Sequence, residues 1–188
     1  MDKLKVGNIP FIYPIPAILA GTIVDGKVNY TTLGNCGIMS VNPAVIYISS
    51  EKTHYLNIGI KNNGFFSVNI PSTNLVQKTD FCGLLSGNKG DKSEVFETFY
   101  GEVKDVPLIK ECPVNLVCKV INNINIHQME VFVGEVVEVF IDKDCFTDGE
   151  PDTEKIDPLI YTMDNNYWRI GSKVGNAFFD GNNYKKLY

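Results

Sequence analysis

The chain has 188 residues, with 44% hydrophobic and 21% charged side chains, the balance of a folded protein rather than a disordered one. A chain of this length buries roughly 70% of its unfolded surface, so neither a metal nor a disulfide is needed for stability. Its net charge of −5 argues against nucleic acid as a partner, because a phosphate backbone demands a basic face.

The longest apolar stretch, residues 9–24, is interrupted by Pro10, Pro14 and Pro16 and lacks the basic start of a signal peptide. It makes a poor membrane span or leader, and the expected location is the cytoplasm. Five cysteines, with no Cys-x-x-Cys pair, are read as reduced and mostly core thiols. The two histidines, His54 and His127, do not sit at ligand spacing from any thiol, which disfavours zinc and iron–sulfur sites. No repeat or linker divides the chain. One domain over 1–188 is expected, with a proline-rich lead-in (about 1–16) and a tail (about 172–188).

In chain order, residues 1–8 are polar and expected to fray. Residues 12–16 must be extended, because each proline fixes its own φ and pushes the preceding residue out of the helical region. Residues 17–24 read as a strand, Asp25-Gly26 as a hairpin turn and 28–33 as the returning strand. That strand runs into Asn29-Tyr30-Thr31-Thr32-Leu33-Gly34-Asn35-Cys36-Gly37. Thr31 and Thr32 suit a strand by β-propensity alone. Gly34 and Gly37 also leave bare backbone donors and acceptors of the kind the edge of a flat heterocycle needs.

Residues 44–49 form an apolar strand leading into Ser49-Ser50-Glu51-Lys52-Thr53-His54-Tyr55, then a helix from near 53 to about 62 with Gly64 as its C-cap. Ser, Lys, Thr and His at a helix N-terminus suit an anion, since first-turn N–H groups lack partners. The plainer alternative is that Ser50 or Thr53 merely caps the helix. Residues 65–71 alternate and stop at Pro71, as a strand does. Ser72 is the expected N-cap of a helix carrying Leu75, Val76, Thr79 and Phe81 on one face.

That helix delivers a stretch without an apolar period, residues 80–96. Gly83, Gly87 and Gly90 permit close backbone approach, Ser86 and Ser93 bring hydroxyls, and Lys89 and Lys92 bring charge. Successive N–H groups in such a loop can form an anion nest; the alternative is a surface loop that only turns. Residues 94–106 are irregular, with Phe96, Phe99 and Tyr100 packing. Residues 114–120 alternate as a strand. Cys112 and Cys118 would share a face; on adjacent elements a disulfide is conceivable, whereas one straight strand holds them roughly 20 Å apart. A polar loop at 122–128 precedes a long strand at 129–141. A connection rich in Asp and Gly (145–155), a short strand (157–161) and a turn at Asp164-Asn165-Asn166 lead into Tyr167-Trp168-Arg169-Ile170-Gly171. Trp168 reads either as a ring-stacking residue or as a core or dimer-interface anchor.

These residues carry a resemblance. Asp80-Phe81-Cys82-Gly83, Ser86-Gly87 and Asp91-Lys92 resemble the D-[YF]-C-G-x-x-S-G-x-x-x-D-K motif of the flavin reductase-like family, the flavoredoxin-type proteins. Similar to that family's elements are also Asn29, Thr32 and Gly37 (N-x-x-T-x-x-x-x-G), Lys52, His54, Tyr55 and Asn57 (K-x-H-Y-x-N), residues 66–71 (F-x-V-N-I-P), 111–118 (E-C-P-x-x-L-x-C), 132–136 (F-x-G-E-V) and 167–171 (Y-[YW]-x-[LI]-G). The resemblance spans about 12–188. A family threonine often stands at the position of Leu56, a departure that touches one hydrogen bond to phosphate or ribityl chain.

The resemblance implies a mainly β fold with a few helices, the FMN-binding split β-barrel, a Greek-key-like antiparallel barrel. It implies FMN as cofactor and flavin-dependent oxidoreductase activity, with NADH or NADPH binding transiently or a small redox protein as electron partner, and a homodimer. The implied cofactor-binding residues are Asn29, Thr31, Thr32, Leu33, Gly34, Ser49, Lys52, His54, Tyr55, Cys82, Gly83, Ser86, Lys92 and Trp168, with Lys52 and Lys92 at the phosphate. No catalytic side chain is implied, since a flavin carries the chemistry while the protein positions it; Cys82 is read as small rather than nucleophilic. The alternative is a non-catalytic FMN carrier or ligand-binding module of the same fold.

Overall fold

The computed structural model describes residues 2–184; Met1 and residues 185–188, the end of the expected tail, lie outside the described residues. The proline-constrained lead-in ends in β1 (Ile15–Pro16), which pairs with a late strand rather than with its neighbour. β2 (Ile18–Val24) and β3 (Lys27–Leu33) form the expected hairpin. Asp25 and Gly26 take φ of 50° and 76°, the left-handed pair that a tight turn matched to strand twist requires.

β4 (Cys36–Val41) was not legible, because its sequence does not alternate between buried and exposed sides. It is an edge strand on β5 (Ala44–Glu51), with a bulge at Ile38/Ser40. α1 (Leu56–Asn63) begins later than expected; its N-cap is Tyr55 with no side-chain cap bond, so neither Ser50 nor Thr53 caps it. Gly64 closes it at φ 70°, as read from the sequence. Leu56 is fully buried in the core, so its position is not one from which a side chain could reach a surface ligand.

β6 (Phe65–Ile70) leads through a 3₁₀ turn at Thr73–Leu75 into α2 (Val76–Leu84). Ser72 makes no cap bond; its hydroxyl bonds to Asn74 instead. The buried face of α2 carries Thr79 and Cys82, whereas Phe81 is exposed. Cys82 and Gly83 therefore belong to the helix, and the glycine loop starts only after Leu84.

β7 (Thr98–Phe99) and β8 (Leu108–Ile109) pair within the otherwise irregular 94–109 stretch. β9 (Val114–Ile126) continues through the expected polar loop and turns at His127 and Gln128 into β10 (Met129–Ile141). Pairing along the whole of β10 overrides the poor β-propensity of Asn122, Asn123 and Asn125. Cys112 lies ahead of β9 and packs in a different cluster from Cys118, and both thiols are free. The Asp-rich connection holds β11 (Phe146–Thr147), β12 (Glu150–Pro151) and α3 (Thr153–Ile156), which Asp152 caps through the N–H groups of Glu154 and Lys155. β13 (Leu159–Thr162) and β14 (Asn166–Arg169) form the last hairpin.

The main sheet is antiparallel and seven-stranded, in the order β3-β2-β6-β9-β10-β5-β4; β1-β13-β14 form a separate three-stranded sheet. Ile18, Leu33, Ile48, Phe66, Cys118 and Phe132 from six of these strands converge on one core, which Leu56 and Ile60 of α1 plug. A second cluster, Leu19, Tyr30, Cys82, Phe96, Ile109 and Cys112, fills the space between the outer face of β2–β3 and α2 with the 96–112 segment. This mainly β architecture with few helices is the split β-barrel. No helix among the described residues is long and apolar enough to cross a membrane.

Candidate functional site

Alternation along β3 sorts its residues onto two faces. Tyr30 and Thr32 turn toward α2, where the Thr32 hydroxyl donates to the backbone carbonyl of Thr79. Asn29, Thr31 and Leu33 point the other way; Leu33 is buried in the barrel core, so only its backbone is free to meet a ligand. The Asn29 side chain donates to Thr31 Oγ1 at 3.4 Å.

Beside Thr31 lies Lys92, only 2% exposed. Its ammonium donates to Thr31 Oγ1 at 3.4 Å and to the Cys82 carbonyl, in the last turn of α2, at 3.3 Å. Among the described residues no carboxylate lies within ion-pair distance of it. Burial pushes its pKa down. Burial also lowers the pKa of His54, with the positive charge of Lys92 adding to the effect against an opposing pull from Glu51. His54 Nδ1 is buried without a hydrogen-bond partner among the described residues.

The glycine loop closes over this corner. A methyl group on Gly87 would stand 2.5 Å from Tyr55 Cδ1 and 2.6 Å from Asn29 Oδ1, so only glycine fits here. An added methyl on Gly83 would meet Thr32 at 3.4 Å, an ordinary contact, so that position does not demand glycine. A cleft of about 340 Å³ opens between the β2–β3 turn, Tyr55 and the loop, lined by Asp25, Lys27, Asn29, Gly87, Asp91 and Lys92 among others.

Its two carboxylates are engaged. The Tyr55 hydroxyl donates to Asp25 at 3.0 Å, and Lys27 pairs with Asp91 at 3.1 Å. Asp91 is held down at about 2, first by the backbone N–H of Ser93. Lys27 and Asp25 were missed in the sequence, where Asp25-Gly26 signalled only a turn.

The remaining expected site residues lie around this corner or away from it. Ser49 is half-buried at the end of β5, its N–H donating to Asn35 O at 2.8 Å. Lys52 is exposed on the turn before α1. Ser86 is exposed and its hydroxyl accepts from the Asn88 N–H within the loop. Gly34 packs under the β13 sheet, where an added methyl would meet Ile15 at 3.1 Å and Tyr161 at 3.8 Å. Trp168 on β14 is 56% exposed and donates to Thr162 Oγ1, so it is no core anchor. Its hairpin is tied to α2 by the Tyr167 hydroxyl donating to Asp80 at 3.0 Å. Burial pushes the Cys82 thiol up to about 11, so it is a neutral thiol near pH 7. A larger groove of about 1170 Å³ between residues 147–157 and 169–175 includes none of the expected site residues.

A split barrel therefore carries a glycine-loop corner with a buried cation and, among the described residues, an unpartnered imidazole nitrogen. Residues 12–168 match the model of the flavin reductase-like domain, and the chain belongs to that family. It is similar to the crystal structure of flavoredoxin from Methanosarcina acetivorans at 44% identity, covering 96% of this chain and 98% of that one with a TM-score of 0.93. Flavoredoxin of Desulfovibrio vulgaris (Miyazaki F) is 32% identical over 96% of this chain and 100% of its own, with a TM-score of 0.89. An uncharacterized protein of Archaeoglobus fulgidus is 32% identical over 154 residues, 81% of this chain and 86% of its own.

Proposed function

We propose that this protein binds FMN at the glycine-loop corner and passes electrons from NADH, NADPH or a small redox protein to an acceptor. The observation that carries this reading is Lys92: a buried ammonium with no carboxylate partner among the described residues, beside a loop position, Gly87, where only glycine fits. Such a cation is costly unless an anion joins it. His54 Nδ1, buried and unpartnered, adds a second polar atom awaiting a ligand. The donor set therefore fits a phosphorylated flavin.

In this reading Lys92, Lys52, His54, Tyr55 and Ser86 hold the phosphate and ribityl chain. Asn29, Thr31, Thr32, Gly34 and the Leu33 backbone border the ring, with Ser49, Cys82, Gly83 and Trp168 at the margins. When bound, the flavin ring supplies the electron-accepting chemistry. The side chains position it, exclude water from its polar edge and balance its charge, which is why no acid–base pair is required. A second copy of the chain covers the exposed edge of the sheet in this proposal.

The deciding experiment is anaerobic stopped-flow mixing of the purified yellow protein with NADH and with NADPH. Bleaching of the yellow colour by one of them within about a second is expected, given typical enzyme turnover of ~10 per second. A yellow protein inert to both nucleotides and to small reduced redox proteins would mean a carrier rather than an oxidoreductase. A colourless protein that takes up no FMN would end the flavin reading itself.

A further inference from the structure

The turn at residues 51–55 makes no side-chain cap bond at the start of α1. Its shape is set from behind by a buried polar cluster that no flavin contact explains. Asn57, 1% exposed, donates from Nδ2 to the backbone carbonyl of Glu51 at 2.9 Å and to Glu130 Oε2 at 3.1 Å. Its Oδ1 accepts from the hydroxyl of Ser50, itself 1% exposed. The bond to Glu51 ties the first turn of α1 to the end of β5, across the base of the turn.

Glu130 lies on β10 directly opposite Ser50 in the strand register and is 5% exposed. Besides Asn57 it accepts from Asn123 of β9 at 2.8 Å and from Lys61 of α1 at 3.3 Å. A carboxylate only accepts, so it fixes which end of the Asn57 amide faces it. Nδ2 must then serve Glu130 and Glu51, and Oδ1 must serve Ser50. One backbone bond, from the Lys52 N–H to Gln128 O at 2.9 Å, ties the 51–55 turn to the β9–β10 turn from the other side.

We infer that Glu130 is a positioning residue for the anion-binding turn: through Asn57 it holds the backbone that presents Lys52, His54 and Tyr55. This rests on the FMN reading above, and it adds a residue outside the site and outside the motifs. A buried network worth more than its separate bonds is an expected place for such a role. Three side chains converging on one carboxylate, with their hydrogen bonds partly charge-assisted, also hold it stiffly.

The test compares FMN with riboflavin, which lacks the phosphate, on wild type, Glu130→Gln and Glu130→Leu, with the melting temperature of each apoprotein. Glu130→Gln keeps the size but not the charge and lets the Asn57 amide turn over. It should weaken FMN binding by about threefold to tenfold and riboflavin by less than about twofold, while Glu130→Leu should reach about tenfold or more for FMN. The ratio of the two affinities is the informative quantity, because general loosening of the fold lowers both together. Lys61→Ala, which removes only the exposed partner, should leave the ratio unchanged. If Glu130→Gln keeps the wild-type ratio, Glu130 is merely structural and the inference fails, whether or not Glu130→Leu folds. If wild type itself binds both flavins equally, the phosphate reading has failed first and takes this inference with it.

Discussion

At the scale of single residues, Lys92 sets stability against binding. Its pKa is lowered by burial, so the folded chain binds this proton less tightly than the unfolded one. The unfolded state then holds more protons in the window below lysine's ordinary 10.5, and stability rises as pH climbs through that window. At neutral pH the charged group is therefore a cost to the apoprotein. Lys92→Met removes the charge while keeping the length of the stem, and is expected to raise the apoprotein melting temperature by about 2–4 °C. The same variant, like Lys92→Ala and Lys52→Ala, should weaken FMN by about tenfold to a hundredfold, the effect of one charge-assisted bond. Lys89, exposed in the same loop, serves as the control whose alanine variant retains FMN. A melting temperature that falls in Lys92→Met would show that the bonds to Thr31 and the Cys82 carbonyl outweigh the desolvation. Binding unchanged in Lys92→Met would remove the anion from this corner.

At the scale of elements, the glycine loop works because two other elements are pressed against it. Gly87→Ala would drive a methyl into the Tyr55 ring and against Asn29 Oδ1, whose amide is buried and bonded to Thr31. Overpacking of this kind costs about 1–3 kcal/mol, so a melting temperature roughly 2–9 °C lower and weaker FMN binding are expected together. A Gly87→Ala protein as stable as wild type would mean the loop can lift off Tyr55 freely. The loop itself was legible from its glycines, lysines and serines, and so were the β2–β3 hairpin, the Gly64 cap and the start and end of β10. Each of these depends on near neighbours in sequence, through backbone conformation or alternation. What was not legible depends on partners far along the chain. β4 is a strand only because β5 offers it an edge, and β9 outruns its own asparagines because β10 pairs with it throughout. Phe81 was placed on the wrong face of α2 because the helix starts after a 3₁₀ turn, which shifts the period. Glu130 carries no local signal at all; its role appears only once β10, β5 and α1 meet.

At the scale of the whole molecule, the sheet leaves an open edge that a lone chain should not keep. β4 is the last strand of the main sheet, with one side unpaired, and it displays Ile38 at 75%, Met39 at 58% and Val41 at 84% exposure. Native proteins blunt such edges with charge, proline, a bulge or a covering element; this edge has the Ile38/Ser40 bulge but no charged side chain within Cys36–Val41. Apolar side chains this dense on one part of a surface mark an interface. The net charge of −5 is small for a chain of this size and offers little repulsion between copies. The expected species is thus a homodimer, with a sedimentation mass of twice 21.0 kDa at micromolar concentration. A stable interface buries about 1,600 Å² in total, and placing charges near its centre removes most of its driving force. The double variant Ile38→Lys, Val41→Lys should therefore sediment as a single chain while keeping the β signature of its circular dichroism spectrum. A wild-type mass of one chain would overturn the dimer outright. A dimer that survives both lysines would place the interface on another face, with the exposed aromatic side chains of the C-terminal part, Trp168, Phe178 and Phe179, as the next to be tested.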